Sequence, residues 1–132
     1  MVDYDSNIPV QYQEGKVRFL DMEISVDPRV LIPRPETEVL VEAAADMCRG
    51  RSWNNPLILD MCTGSGVVAM GIAKLIDKCC VIGADISTDA LAVARGNIRR
   101  AGFENRVALI ASDMFSAFKG GNEGMFDCIV SN

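Results

Sequence analysis

The sequence contains no histidine, and its five cysteines lack the paired spacing of a metal-binding motif. Without histidine, zinc-dependent hydrolysis and Ser-His or Cys-His nucleophilic catalysis are excluded in their usual forms. We therefore expect no metal site. An odd number of unpaired cysteines is typical of reduced thiols that pack as small hydrophobic side chains. The cysteines are Cys48, Cys62, Cys79, Cys80 and Cys128.

Long apolar runs are also missing. The longest, such as residues 67–72, are far shorter than the ~20 residues that a membrane helix requires. The first five residues have neither the basic start nor the apolar stretch of a signal peptide. We therefore expect a cytoplasmic protein that makes no membrane contact.

The sequence has fewer basic than acidic residues, with 13 Lys and Arg against 18 Asp and Glu and a formal net charge of -5. An excess of negative charge repels a phosphate backbone, which makes nucleic acid a disfavoured partner. Apolar residues make up 49% of the chain and charged residues 23%, as in an ordinary globular domain. A length of 132 residues suits a single domain with a substantial core.

The apolar pattern predicts an α/β fold. Apolar residues alternate on both sides of Leu20-Asp21, which predicts a β-hairpin within residues 16–26, whereas residues 1–15 show no period and are expected to be loosely ordered. Short apolar runs alternate with helical patterns, which indicates a Rossmann-like, mostly parallel sheet with right-handed connections. We expect strands at 57–61, 80–86, 107–111 and 126–130, and helices from Glu36 to near Gly50, at 67–77, at 88–101 and, briefly, near 115–118.

A glycine-rich segment, residues 59–66, leads from the first core strand into a helix. Glycine lets the backbone approach a ligand closely, and the start of the helix presents free N–H groups. Gly64, Gly66 and Ala69 also satisfy the dinucleotide pattern G-x-G-x-x-A, so an NAD-binding oxidoreductase module remains an alternative. A tight turn without a ligand is the structural alternative.

Acidic residues lie at the ends of the first two predicted strands, at Asp60 and Asp85, and just after the third, at Asp113. Asp85 can accept hydrogen bonds from the ribose hydroxyls of NAD and equally from those of S-adenosylmethionine. Asp60 separates the two, because its charge repels a pyrophosphate and attracts the amino group of a methionine moiety. Asp113 can accept from an adenine amino group, and the thioether of Met114 can cover the ring. These residues favour S-adenosylmethionine.

Several motifs in one order resemble the release-factor glutamine methyltransferase family, a group of class I S-adenosylmethionine-dependent enzymes. The likeness runs from about Pro9 to the last residue, and Leu-Ile-Pro-Arg-Pro-Glu-Thr-Glu is its most discriminating part. The motifs are Pro28 to Glu38, Asp60 to Gly66, Asp85-Ile86-Ser87, Asn105-Arg106-Val107, Ser112 to Phe115 and Phe126 to Asn132.

The resemblance implies a sheet of order 3-2-1-4 with later strands missing, an arm and hairpin over residues 1–34, and a partial cofactor-binding domain over 35–132. It also implies that a peptide chain release factor is the substrate and that Asn132 is the catalytic residue, holding the side-chain amide of a glutamine. The implied cofactor-binding residues are Arg34, Thr37, Asp60, Cys62, Thr63, Gly64, Ser65, Gly66, Asp85, Ile86, Asp113 and Met114.

The sequence departs from the family pattern in three ways. The family signature is Asn-Pro-Pro-Tyr, whereas this chain stops at Asn132, so we expect a weak or inactive fragment of a longer gene product. Cys62 stands where the family usually has glycine, and the family's N-terminal helical domain is absent. Two further alternatives are a nucleic-acid amino methyltransferase and a fragment that only binds cofactor or self-associates as a homodimer through the exposed edge of strand 126–130.

Overall fold

The computed structural model describes residues 1–118 and 124–132. Its helices and strands alternate from the second helix onward, as the apolar pattern predicts. In chain order they are α1 (Val10–Glu14), β1 (Lys16–Phe19), β2 (Met22–Ser25), α2 (Glu36–Gly50), β3 (Leu57–Met61), α3 (Val67–Leu75), β4 (Cys80–Asp85), α4 (Thr88–Ala101), β5 (Val107–Ala111), a 3₁₀ turn (Ser116–Phe118) and β6 (Cys128–Ser131).

The four core strands form one parallel sheet in the order β5-β4-β3-β6. β3 is central, and Ile58, Leu59, Asp60 and Met61 are all buried. A strand covered on both faces requires a continuous apolar run, and this is why the runs in the sequence identified the strands. The expected α/β class and the 3-2-1-4 strand order are confirmed. Because parallel strands end at the same edge, the loops after β3, β4, β5 and β6 converge there.

The hairpin of β1 and β2 turns at Leu20 and Asp21, as predicted. Both residues have positive φ, 46° and 60°, which is the conformation of a type I′ turn. Glu38 in α2 fixes this turn, because its Oε1 accepts a hydrogen bond of 2.9 Å from the backbone N of Leu20. Phe19 and Ile24 are buried in the same hydrophobic cluster as residues of α2, α3 and α4. The hairpin therefore packs into the main core.

Some predicted bounds were wrong. The arm contains one short helix, α1, and the hydroxyl of Tyr12 donates to the carbonyl of Val30 at 2.6 Å, which holds this helix against the chain ahead of α2. α3 ends at Leu75, two residues early, because Ile76 is extended. β4 ends at Asp85, which leaves Ile86 in the loop, and β6 begins at Cys128 and continues to Ser131.

α4 has the predicted bounds because its ends carry strong local signals. The hydroxyl oxygen of Ser87 accepts a hydrogen bond of 3.1 Å from the backbone N of Ala90, and Gly102 ends the helix at φ 78°. Both are preferred caps. Within residues 1–118 and 124–132, no helix is long and apolar enough to cross a membrane. Of the cysteines, Cys62 and Cys80 are exposed rather than buried as expected.

Candidate active site

Asp60 lies at the end of the central strand β3 and is only 1% exposed. Its Oδ2 atom accepts two hydrogen bonds, from the hydroxyl of Thr63 at 2.6 Å and from the backbone N of Ala69 at 3.1 Å. No described residue donates to Oδ1. One carboxylate oxygen therefore fixes the glycine loop to the start of α3, while the other keeps its capacity to accept from a ligand.

Burial changes the acidity of Asp60. Desolvation raises the pKa of this carboxyl from 3.8 to about 7, although the hydrogen bonds from Thr63 and Ala69 act in the opposite direction. The negative charge of Asp85 raises the pKa further. A buried acid of this kind gains most from a cationic partner, because the partner stabilises the charged form that burial disfavours.

The loop after β3 reverses direction through three residues in the left-handed region. Cys62, Gly64 and Gly66 have φ values of 61°, 55° and 88°. The backbone N of Thr63 donates to the carbonyl of Ala84 in β4 at 2.9 Å, which anchors the turn to the sheet. Glycine adopts these angles freely, whereas a cysteine at φ 61° is strained. The thiol of Cys62 is exposed at this turn.

Asp85 joins the same loop from the neighbouring strand. Its Oδ2 accepts from the backbone N of Gly64 at 2.9 Å, and its Oδ1 accepts from the backbone N of Ser87 at 3.0 Å. Each carboxylate oxygen has a further lone pair, so the side chain can still accept from hydroxyl groups. Asp60 and Asp85 are thus brought to one loop, Asp60 through Thr63 and Asp85 through Gly64.

Asp113 and Met114 follow β5 at the same edge of the sheet. The backbone N of Ser112 donates to the carbonyl of Asp85 at 3.0 Å, which places the start of this loop beside the end of β4. Asp113 is exposed, and its backbone N donates to the hydroxyl of Ser116 at 3.0 Å. Met114 is 53% exposed and Ile86, after β4, is 70% exposed. These apolar side chains offer cover for a flat ring.

Asn132 follows β6 and contacts Thr37 at the start of α2. Its Nδ2 donates to the Thr37 hydroxyl oxygen at 2.8 Å. Met61 and Ser131 are partners in the pairing of β3 with β6, so Asn132 comes next to the loop that starts at Cys62. The backbone N of Thr37 donates to the carbonyl of Arg34 at 3.0 Å, but no described hydrogen bond brings the Arg34 side chain to these residues. It is exposed and lines a surface cavity of about 420 Å³ with Pro9, Tyr12, Leu31 and neighbouring prolines.

Sequence reasoning missed Asn97, which lies on α4 and is 1% exposed. Its Nδ2 donates to the carbonyls of Ser25 and Ser65 at 3.0 and 2.9 Å, and its Oδ1 accepts from the backbone N of Ser25 at 2.8 Å. Arg100 also donates to this oxygen at 2.7 Å. The amide therefore ties the hairpin to the glycine loop. A polar residue on the apolar face of a predicted helix is the signal that could have identified it.

Comparison with known proteins identifies the domain that contains this loop. The family described as "Methyltransferase domain" matches residues 58–132, from β3 to the last residue. The chain belongs to this methyltransferase family. The match covers more than half of the chain and includes Asp60, Asp85, Asp113 and Asn132. The assignment favours methyl transfer over the NAD-binding alternative.

Three curated relatives of this methyltransferase domain carry the same name. A release factor glutamine methyltransferase from Chlorobaculum tepidum is 42% identical over 128 residues, which is 94% of this chain and 44% of the relative. Enzymes of the same name from Rhodopirellula baltica and Gloeobacter violaceus are 41% and 38% identical, over 94% and 95% of this chain and 42% of each relative. These relatives confirm the resemblance. The chain spans less than half of their length.

Solved structures confirm the fold. A ribosomal protein L11 methylase from Lactobacillus delbrueckii subsp. bulgaricus has a TM-score of 0.62 and 27% identity, covering 83% of this chain and 52% of that one. The N-terminal domain of human METTL16, a complex with SAH, has a TM-score of 0.66 at 13% identity, covering 83% of this chain and 45% of that one. The second likeness concerns the fold alone.

Proposed function

We propose that this methyltransferase domain binds S-adenosylmethionine and belongs to an enzyme that methylates the side-chain amide nitrogen of a glutamine in a peptide chain release factor. The observation that carries the cofactor proposal is Asp60, a buried carboxylate with Oδ2 occupied by Thr63 and Ala69 and no described donor to Oδ1. The names of the curated relatives support the substrate.

The residues at the carboxyl edge of the sheet fit this cofactor. Oδ1 of Asp60 would hold the amino group of the methionine part, and Asp85 would hold the ribose hydroxyls. Asp113 would accept from the adenine amino group, and the exposed side chains of Ile86 and Met114 would cover the ring. The further proposed contacts are those of the loop and of the segment before α2: Cys62, Thr63, Gly64, Ser65, Gly66 and Arg34.

The chemistry requires alignment more than covalent catalysis. The cofactor, when bound, supplies an electrophilic methyl group on its sulfonium. An amide nitrogen is a weak nucleophile, and we propose that Asn132 accepts a hydrogen bond from one of its N–H groups, which polarises the nitrogen and holds it in line for transfer. In the transfer the nitrogen forms a bond to the methyl carbon as the bond from that carbon to sulfur breaks, and one N–H proton leaves to water. No protein nucleophile is required. This agrees with a sequence that has no histidine.

Calorimetry on the folded 132-residue chain tests the cofactor proposal. We expect heat of binding with S-adenosylmethionine and with its demethylated product, and none with NADH. Asp60→Asn should weaken both interactions, while Asp77→Asn, which removes an exposed charge, should leave them unchanged. Binding of NADH alone, or equal binding by the Asp60 and Asp77 variants, would contradict the proposal.

A transfer assay tests the substrate proposal. The full-length gene product that contains this domain is incubated with labelled cofactor and a purified release factor, and the modified residue is located by mass spectrometry. We expect one methyl group on one glutamine, and none after Asn132→Ala. Equal labelling of RNA or DNA would overturn the protein substrate, which we favour because the net charge is -5. Because release factors act in translation, we propose a cytoplasmic location.

Two further proposals concern organisation. We propose residues 35–132 as the cofactor-binding unit, with residues 1–34 as an arm and hairpin against it.

We also propose that the chain dimerises through β6, since in the described sheet β6 pairs only with β3 and Ile129 is 52% exposed. Light scattering should show a dimer that Ile129→Lys converts to monomer, and a monomer at high concentration would refute this.

A further inference from the structure

The hydrogen bond between Thr37 and Asn132 joins two motifs that are 95 residues apart in sequence. Thr37 is the second residue of α2 and is 4% exposed. Its backbone N donates to the carbonyl of Arg34 at 3.0 Å, and the next residue, Glu38, is held by the hairpin turn. A threonine in a helix has two main χ1 rotamers, and burial restricts the movement of the Thr37 side chain between them.

The atom of Asn132 that faces the Thr37 hydroxyl leaves the other end of the amide for a substrate. An asparagine amide has two N–H donors and one carbonyl acceptor, and its two ends are nearly the same shape. Here Nδ2 donates one hydrogen to the Thr37 oxygen at 2.8 Å. The carbonyl oxygen then points away from Thr37. An asparagine without this contact can rotate and present its NH₂ group in the same place.

We propose that Thr37 is a positioning residue that anchors the Asn132 amide through Nδ2, so that Oδ1 is the atom presented to substrate. An oxygen acceptor selects a reacting nitrogen that carries N–H, as in a carboxamide, and disfavours a group that only accepts. This inference rests on the proposed function for the role of Asn132. It assigns Thr37 to the substrate side of the site, whereas the sequence placed it among the cofactor-binding residues.

Nitrogen-15 NMR of the 132-residue chain tests the orientation without any reaction. In the wild-type chain we expect the two Nδ2 protons of Asn132 to differ, with one exchanging slowly because it is hydrogen-bonded. In Thr37→Val the two Nδ2 protons of Asn132 should have the chemical shifts and exchange rates of a free asparagine side chain. Thr37→Ser should retain the wild-type signals. Thr88→Val, at an exposed threonine at the start of α4, is the matched control. Unchanged signals in Thr37→Val would overturn the proposal.

Kinetics on the full-length gene product test the consequence. Thr37→Val should lower kcat about tenfold, the order of effect expected from one lost hydrogen bond with an unsatisfied donor. The cofactor Kd should stay within about twofold, and Thr37→Ser should recover most of kcat. An unchanged kcat, or an equal loss of cofactor affinity, would overturn the positioning role. If the wild-type enzyme methylates no release factor, the proposed function is wrong. The NMR experiment then still tests whether Thr37 holds the side chain of Asn132.

Discussion

Replacing Asp60 by asparagine should stabilise the domain at neutral and alkaline pH while it weakens cofactor binding. The replacement has nearly the same shape. Both described hydrogen bonds to Asp60 reach a single oxygen, Oδ2, so the carbonyl oxygen of an asparagine can accept from Thr63 and Ala69 in its place. The change therefore removes the buried negative charge and keeps the anchoring of the loop.

The magnitude follows from the raised pKa. Burial takes the pKa of Asp60 from 3.8 to about 7, and at about 1.36 kcal/mol per unit this corresponds to roughly 4 kcal/mol as an upper estimate. The folded pKa lies above the unfolded one, so the contribution of the protonated acid is fully present below about pH 4. It is lost as pH rises through about 7. The wild-type chain should lose this stability and the variant should not.

Urea denaturation of both chains at several values between pH 4 and pH 8 provides the assay. The free energy of unfolding of the variant minus that of the wild type should rise with pH and level off above pH 8. Taking this difference removes the contribution of other carboxyls, such as Asp27, whose pKa is lowered by its hydrogen bonds with Arg29. A difference that stays constant over this range would refute the reasoning about Asp60.

Five further substitutions, two of them matched controls, can be measured by the same denaturation at pH 7. Asn97→Ala should lower the free energy of unfolding by about 2–4 kcal/mol, because it leaves the buried carbonyl of Ser65 and the half-buried carbonyl of Ser25 without this donor. Asn105→Ala, at an exposed residue, should be near neutral. Gly83→Ala should lower the free energy of unfolding by about 1–3 kcal/mol, because the added Cβ would lie 2.8 Å from the Thr63 hydroxyl. Gly96→Ala should instead stabilise α4, because the nearest atom to the added Cβ, Nη1 of Arg100, lies 3.4 Å away. Ser87→Ala should cost about 1 kcal/mol through the lost cap. Equal effects within either matched pair, or no effect at Ser87, would contradict these contacts.

The core strands and α4 could be predicted because their signals are local. A strand buried on both faces requires a short continuous apolar run, and residues 57–61 and 107–111 have the predicted bounds. Ser87 and Gly102 mark the two ends of α4 by their own side-chain and backbone chemistry. Asp60 and Asp85 lie at the ends of two strands and Asp113 just after a third, and parallel topology brings these three ends to one edge.

The contacts between distant residues could not be predicted. Asn97 and Ser25 are 72 residues apart, and Asn132 and Thr37 are 95 apart, so no local period connects them. The bounds of β6 depend on its pairing with β3 rather than on where its apolar run starts. α1 has no buried residue, so it leaves no apolar stripe in the sequence that would reveal it.

The hairpin is held by the body of the domain at both of its ends. Glu38 binds its turn, Asn97 binds its last residue, and Phe19 and Ile24 lie inside the shared core. A protease that cut the segment between Val26 and α2 would therefore leave two fragments that remain together as a nicked complex. Expressed separately, the larger fragment would lack the partners of Glu38 and Asn97, and adding the smaller piece back should restore the missing order.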